Sequence, residues 1–104
     1  MAQIIWSEPA LTDLDAIADY IAIDNPQAAS NLVKRIFQHI DQLQDHPESG
    51  SKPHELRGSR HRQRIEPPCR VIYRHDKSHS QVFILHVMRS EQKLKRSKLF
   101  RDAE

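Results

Sequence analysis

Arg60 to Arg89, RHRQRIEPPCRVIYRHDKSHSQVFILHVMR, decides the fold, because it reads as three consecutive β-strands and carries a dense set of arginines. Val71, Ile72 and Tyr73, then Val82, Phe83, Ile84 and Leu85, are the two runs richest in β-branched and aromatic residues, with the polar DKSHS between them as a turn. They form a hairpin. Ahead of it, Arg60, Arg62 and Arg64 alternate with His61, Gln63 and Ile65, so a period of two puts the arginines on one face. Neither Pro67 nor Pro68 can donate to a ladder, which makes that joint a turn or a sheet edge. The last strand is apolar on both sides: parity groups Val82, Ile84 and Met88 against Phe83, Leu85 and Val87. A strand without polar alternation is covered on both faces. The N-terminal helices would cover one, and the tail residues Leu94, Leu99 and Phe100, or a partner, the other.

Working outward, Gln3-Ile4-Ile5-Trp6 is a short strand followed by a helix start. Ser7 suits the N-cap, while Glu8 and Pro9 fall in a first turn that favours a carboxylate and loses nothing from a missing N–H. Leu11, Leu14, Ile17, Ala18 and Ile21 then recur at helical spacing, with Asp13, Asp15 and Asp19 on the other side. Asn25 and Pro26 restart the chain as cap and first residue of a second helix. Its stripe is Ala29, Leu32, Val33, Ile36, Ile40 and Leu43, ending at His46-Pro47. Two helices so closely linked pack as an antiparallel hairpin. Residues 47–53 form a surface loop, and 90–104 a charged tail that is flexible or a short helix. The expected architecture is α+β, in the order β-α-α-β-β-β with an optional final helix: one domain over 1–104, an antiparallel sheet with a helical hairpin on one face.

The chain has 104 residues, one cysteine and a net charge of +2. A lone Cys69 excludes an internal disulfide and fits a reducing compartment. MAQIIWSEPA has no basic segment followed by an apolar run, and nothing approaches a membrane span, so a cytoplasmic protein without membrane contact is expected. The charge is unevenly spread: residues 1–50 hold two basic and eight acidic side chains, and residues 51–104 fourteen and six. The halves carry −6 and +8, so the basic half favours a polyanion or an acidic protein. Arg57, Arg60, Arg62, Arg64, Arg70 and Arg74 fall within 18 residues with Glu66 the only acid among them, and are the candidate binding surface. The seven histidines show no zinc-like spacing, so neither metal nor cofactor is expected. The acidic helices offer no recognition helix for direct DNA reading.

The order of elements, together with Ser7, Ala10, Leu11, Leu14, Ile17 and Tyr20, Asn25-Pro26, Ala28-Ala29, Pro47, Gly50, Leu56 to Arg60, Arg70 to Tyr73 and Ile84 to His86, resembles the RelE/ParE superfamily of small bacterial toxins, the ParE branch ahead of the RelE branch. The ParE resemblance implies a growth inhibitor that poisons DNA gyrase, is not itself an enzyme, and is neutralised by a ParD-like antitoxin through which any contact with operator DNA would run. An apolar sheet face rimmed by arginines would suit an amphipathic, partly acidic antitoxin segment. The RelE alternative implies a ribosome-dependent mRNA endoribonuclease. There Arg64, Arg70, His86 and Arg89 would be catalytic, with Arg62 and Arg64 standing where that branch carries lysines and Arg70 at its third-strand arginine. Two departures weigh against it: Ser90 stands where many such nucleases have an arginine, and no tyrosine follows Tyr73. By parity Tyr73 and Arg70 lie on opposite faces. A homologue that only binds its antitoxin is the third reading.

Overall fold

Ser7 starts the helical half as its side chain requires. In the computed structural model, which describes residues 1–94, its Oγ accepts the Ala10 N–H at 3.1 Å, and the helix α1 runs Glu8–Asp24. The short strand β1, Gln3–Trp6, precedes it. Asn25 caps the second helix α2, Pro26–Asp41, its Oδ1 accepting the Ala28 N–H at 3.0 Å. A 3-10 turn, Gln42–Gln44, carries Leu43 into the core, and a second such turn, His54–Leu56, leads to the sheet. Strands β2, His61–Glu66, β3, Cys69–Asp76, and β4, Gln81–Arg89, complete the order, with Pro67-Pro68 joined by a cis bond as the β2–β3 turn.

The sheet order is β1-β4-β3-β2. The three later strands are antiparallel as expected, whereas β1 runs parallel to β4, Gln3 opposite Gln81 and Trp6 opposite Ile84. The cause is the helical hairpin, which returns the chain to the end of the sheet where β1 began before the final meander is laid down. Ala10, Leu14, Leu32, Ile36, Ile40 and Leu43 pack on Cys69, Val71, Tyr73, Val82, Ile84 and Val87. Each fully buried aliphatic side chain contributes about 1.5–3 kcal/mol, so this layer is the main source of stability. Leu11 stays exposed, and the smaller Ala10 takes the buried place in the α1 stripe.

The other face is covered too. Leu56, Ile72, Leu85 and Leu94 form a second cluster, with Phe83 and Met88 against it. Leu94 thus does what was expected of the tail; Leu99 and Phe100, and any helix beyond Leu94, lie outside the described residues. One detail of β4 departs from simple alternation. Ile72 pairs with His86 but Tyr73 with Ile84, so Leu85 is an extra residue, a β-bulge. Parity inverts there, which moves Val87 to the helix side and Met88 to the opposite one. Among the described residues no helix is long and apolar enough to cross a membrane.

Candidate functional site

Register divides the arginines. Arg62 and Arg64 pair with Tyr73 and Val71 and so share the helix-covered face, at its β2 edge, while Arg70 and Arg74 belong to the opposite face. The single arginine surface expected from clustering in sequence is therefore split, because it merged two strands whose arginines have opposite parity. Arg62 donates to the Gly50 carbonyl at 2.9 Å, and Arg64 lies 3.6 Å from Glu66. Arg74 stacks over Phe83 at 5.0 Å. Arg57 and Arg60 are exposed and form no ion pair among the described residues.

Arg70 is 5% exposed and fully engaged at its terminal nitrogens. Nη1 donates to Glu55 Oε1 at 3.0 Å and Gln63 Oε1 at 3.0 Å; Nη2 donates to Glu55 Oε2 at 2.6 Å and the Gln92 carbonyl at 2.6 Å. Glu55 Oε2 also accepts the Leu94 N–H at 3.0 Å. Hydrogen bonding by Arg70 outweighs the effect of burial and holds the Glu55 carboxyl down at about 2. Such a two-pronged pair fixes geometry as well as charge. Its role here is to clamp residues 92–94 over the second cluster.

His86 is 2% exposed, its Nδ1 3.0 Å from Asp13 Oδ2, which also accepts the Val87 N–H at 3.1 Å. Asp13, assigned to the solvent side by helical periodicity, instead ties α1 to β4. Arg89 lies 3.2 Å from Glu91 on the surface. Of the four residues of the nuclease alternative, Arg70 and His86 share one face on adjacent strands, each held by its own carboxylate, Glu55 and Asp13, while Arg64 lies on the other face at the β2 edge and Arg89 at the end of β4. Tyr73 is buried with its hydroxyl accepting the Gly50 N–H at 2.9 Å, and burial pushes its acidity to higher pH. Burial likewise raises the Cys69 thiol, so neither group supplies an accessible base or nucleophile. Among the described residues no three His, Cys, Asp or Glu side chains are grouped to hold a metal ion.

Apart from Ile65 on the β2 edge, the exposed large apolar groups among the described residues lie off the sheet, whose two faces are both covered. Besides Met1, they lie on α1, with Leu11, Tyr20 at 63% and Ile23 at 82% exposure, and on α2 at Phe37. A groove of about 680 Å³ runs beside α1, lined by Ala16, Ile17, Tyr20, Ile21, Pro68 and Arg89 among others. At the other end of the sheet, Lys52, Arg60, Arg62, His75 and Lys77 gather around Glu48.

Residues 4–94 match the family profile described as ParE toxin of type II toxin-antitoxin system, parDE. The chain is 36% identical over 90 residues to the putative toxin Y4kP of Sinorhizobium fredii, covering 86% of this chain and 90% of that one. It is 44% identical over 50 residues to Toxin RelE2 of Caulobacter vibrioides, a match that takes in 48% of this chain and 57% of the relative's length. Among solved structures, a chain of the chromosomal ParDE system from P. aeruginosa superimposes with a TM-score of 0.73 at 25% identity, over 88% of this chain and 98% of that one. A chain of the RelBE2 toxin-antitoxin complex from Mycobacterium tuberculosis shares the fold at a TM-score of 0.58 and 22% identity, over 85% and 96%.

Proposed function

Because the chain belongs to the ParE toxin family of type II toxin–antitoxin systems, we propose that it arrests growth by poisoning DNA gyrase and is neutralised by a ParD-like antitoxin. The observation that carries this reading over mRNA cleavage is the state of Arg70. Cleavage by 2′-OH attack needs one group to take a proton, another to give one, and a free cation for the developing charge. Arg70 has its charge balanced by Glu55 and both terminal nitrogens engaged, His86 is tied to Asp13, and Tyr73 is buried. Freeing Arg70 for a phosphate would leave Glu55 as a buried anion without its partner, which costs about 3–5 kcal/mol.

The antitoxin is expected along α1, where Leu11, Tyr20 and Ile23 offer apolar area that an amphipathic segment buries. Arg57 and Arg60 are the arginines left open to a partner or target. The discriminating experiment gives purified protein to gyrase with supercoiled and relaxed plasmid, and separately to ribosomes programmed with mRNA. Loss of supercoiling or accumulation of cleaved DNA, with mRNA intact, is expected. Codon-dependent mRNA cleavage with supercoiling unaffected overturns the reading in favour of the ribonuclease.

A further inference from the structure

The basic end of the sheet is used by neither the Arg70 clamp nor the α1 groove. Where β2 begins and β3 finishes, Lys52, Arg60, Arg62, His75 and Lys77 surround a half-open cleft of about 450 Å³. Its acids are Glu48 and Asp76. Glu48 lies 3.1 Å from Lys77 Nζ, 3.1 Å from His75 Nδ1 and 3.8 Å from Arg62 Nη2. Lys77, then His75, keep its carboxyl below the usual range, so these surroundings already favour a carboxylate as an anion. Asp76 lines the cleft beside its own turn, accepting from the Ser78 hydroxyl at 2.9 Å and the His79 N–H at 3.3 Å. Among the described residues Lys52 reaches only a carbonyl, that of Ser59 at 2.8 Å, and Arg60 has no ion-pair partner. Among the described residues two cations, Lys52 and Arg60, thus stand without counter-charge at the rim, next to a carboxylate that engages Arg62, Lys77 and the His75 ring.

We propose that this cleft seats an acidic, extended segment of a partner protein. Its carboxylates pair with Lys52 and Arg60 and compete with Glu48 for Arg62 and Lys77. Discrete carboxylates on a flexible peptide can turn toward these cations and away from Glu48 and Asp76. A nucleic-acid backbone fits less well, since its regularly spaced phosphates meet those two carboxylates and, among the described residues, no Phe, Tyr or Trp lines the cleft to stack a base. The cleft is at the end of the sheet with the β3–β4 turn, the α1 groove at the end with the β2–β3 turn, so occupancy of one is separable from the other. The proposal is also independent of the gyrase reading, being tested on the chain alone.

The test is fluorescence anisotropy of a labelled Glu/Ser repeat peptide titrated with the full chain, against a labelled single-stranded oligothymidylate of equal charge. The peptide is expected to bind the more tightly, in a salt-sensitive manner. The double variant Lys52→Glu, Arg60→Glu is expected to weaken peptide binding about tenfold, since both side chains are exposed and each rim pair contributes modestly. Glu48→Gln, which releases Arg62 and Lys77, is expected to shift affinity the opposite way, tightening it about threefold. Far-UV circular dichroism establishes that each variant is folded. Preference for the oligonucleotide, no binding of the peptide, or Glu48→Gln weakening it would each overturn the proposal.

Discussion

Glu55→Gln removes the charge from the Arg70 clamp while keeping the shape of the side chain. Glu55 holds its proton at about 2 in the folded chain against an ordinary 4.5. That gap corresponds to about 3 kcal/mol in favour of the folded state at neutral pH, in line with the cost of stripping one partner from a buried pair. The sign follows from the direction: a carboxyl whose acidity is strengthened by folding stabilises fully above 4.5 and loses that contribution as pH falls toward about 2. Urea unfolding followed by circular dichroism should therefore show the variant weaker by about 3 kcal/mol at neutral pH, with the two curves converging through that acid window. Substituting both partners, Glu55→Leu with Arg70→Met, should recover much of the loss, because an apolar pair leaves no buried charge. A Glu55→Gln deficit below about 1 kcal/mol, or one that does not change with pH, would refute the argument that this pair holds the second face together.

Further outcomes follow from single contacts. A Cβ on Gly50 would stand 2.5 Å from the Gln63 carbonyl oxygen and 2.6 Å from the Tyr73 hydroxyl, so Gly50→Ala should cost about 1–3 kcal/mol by thermal or urea unfolding. Tyr73→Phe leaves the Gly50 N–H buried without its acceptor and should cost a similar amount, about 1–3 kcal/mol; an unchanged midpoint would show that water or another group replaces the bond. Asp13→Ala should cost about 1–3 kcal/mol and speed hydrogen exchange at the Val87 amide, the donor it orphans; unaltered protection there would mean the contact does not persist in solution. Arg57→Ala with Arg60→Ala should leave stability within about 0.5 kcal/mol while reducing growth arrest on induction; undiminished arrest by the folded variant would mark these arginines as merely solvated.

The helical hairpin was legible because its caps are local chemistry. Ser7 and Asn25 each satisfy an N–H three residues on, and Ala29, Leu32, Ile36 and Ile40 repeat at the spacing that buries them. The strands were legible for the same reason, as were the Pro67-Pro68 joint and the double covering of β4. What failed depended on a pairing that no stretch of sequence contains. Leu85 looks like any strand residue, yet opposite the Ile72–Tyr73 step it is supernumerary, and that one residue exchanges the sides of Val87 and Met88. Asp13 is one of three aspartates on α1, and only the position of β4 selects it for His86. The arginines illustrate the largest gap. Six in 18 residues read as one patch, but strand parity and a glutamate on a distant turn divide them into a buried clamp, a half-buried edge pair, one side chain stacked on Phe83 and two open ones.

The parallel pairing of β1 with β4 bears on when the toxin can exist during synthesis. Ile4 and Ile5 stand opposite Val82 and Phe83, so the first strand waits for nearly all of the described chain before its partner is made. The helical hairpin can form meanwhile, yet Ile36 and Ile40 have no strand surface to cover until β3 and β4 leave the ribosome. Contacts of such sequence separation close late and slowly, because the intervening chain must be ordered first. A nascent chain therefore carries its apolar stripe uncovered until β4 has been made, and the toxin fold closes only with that strand.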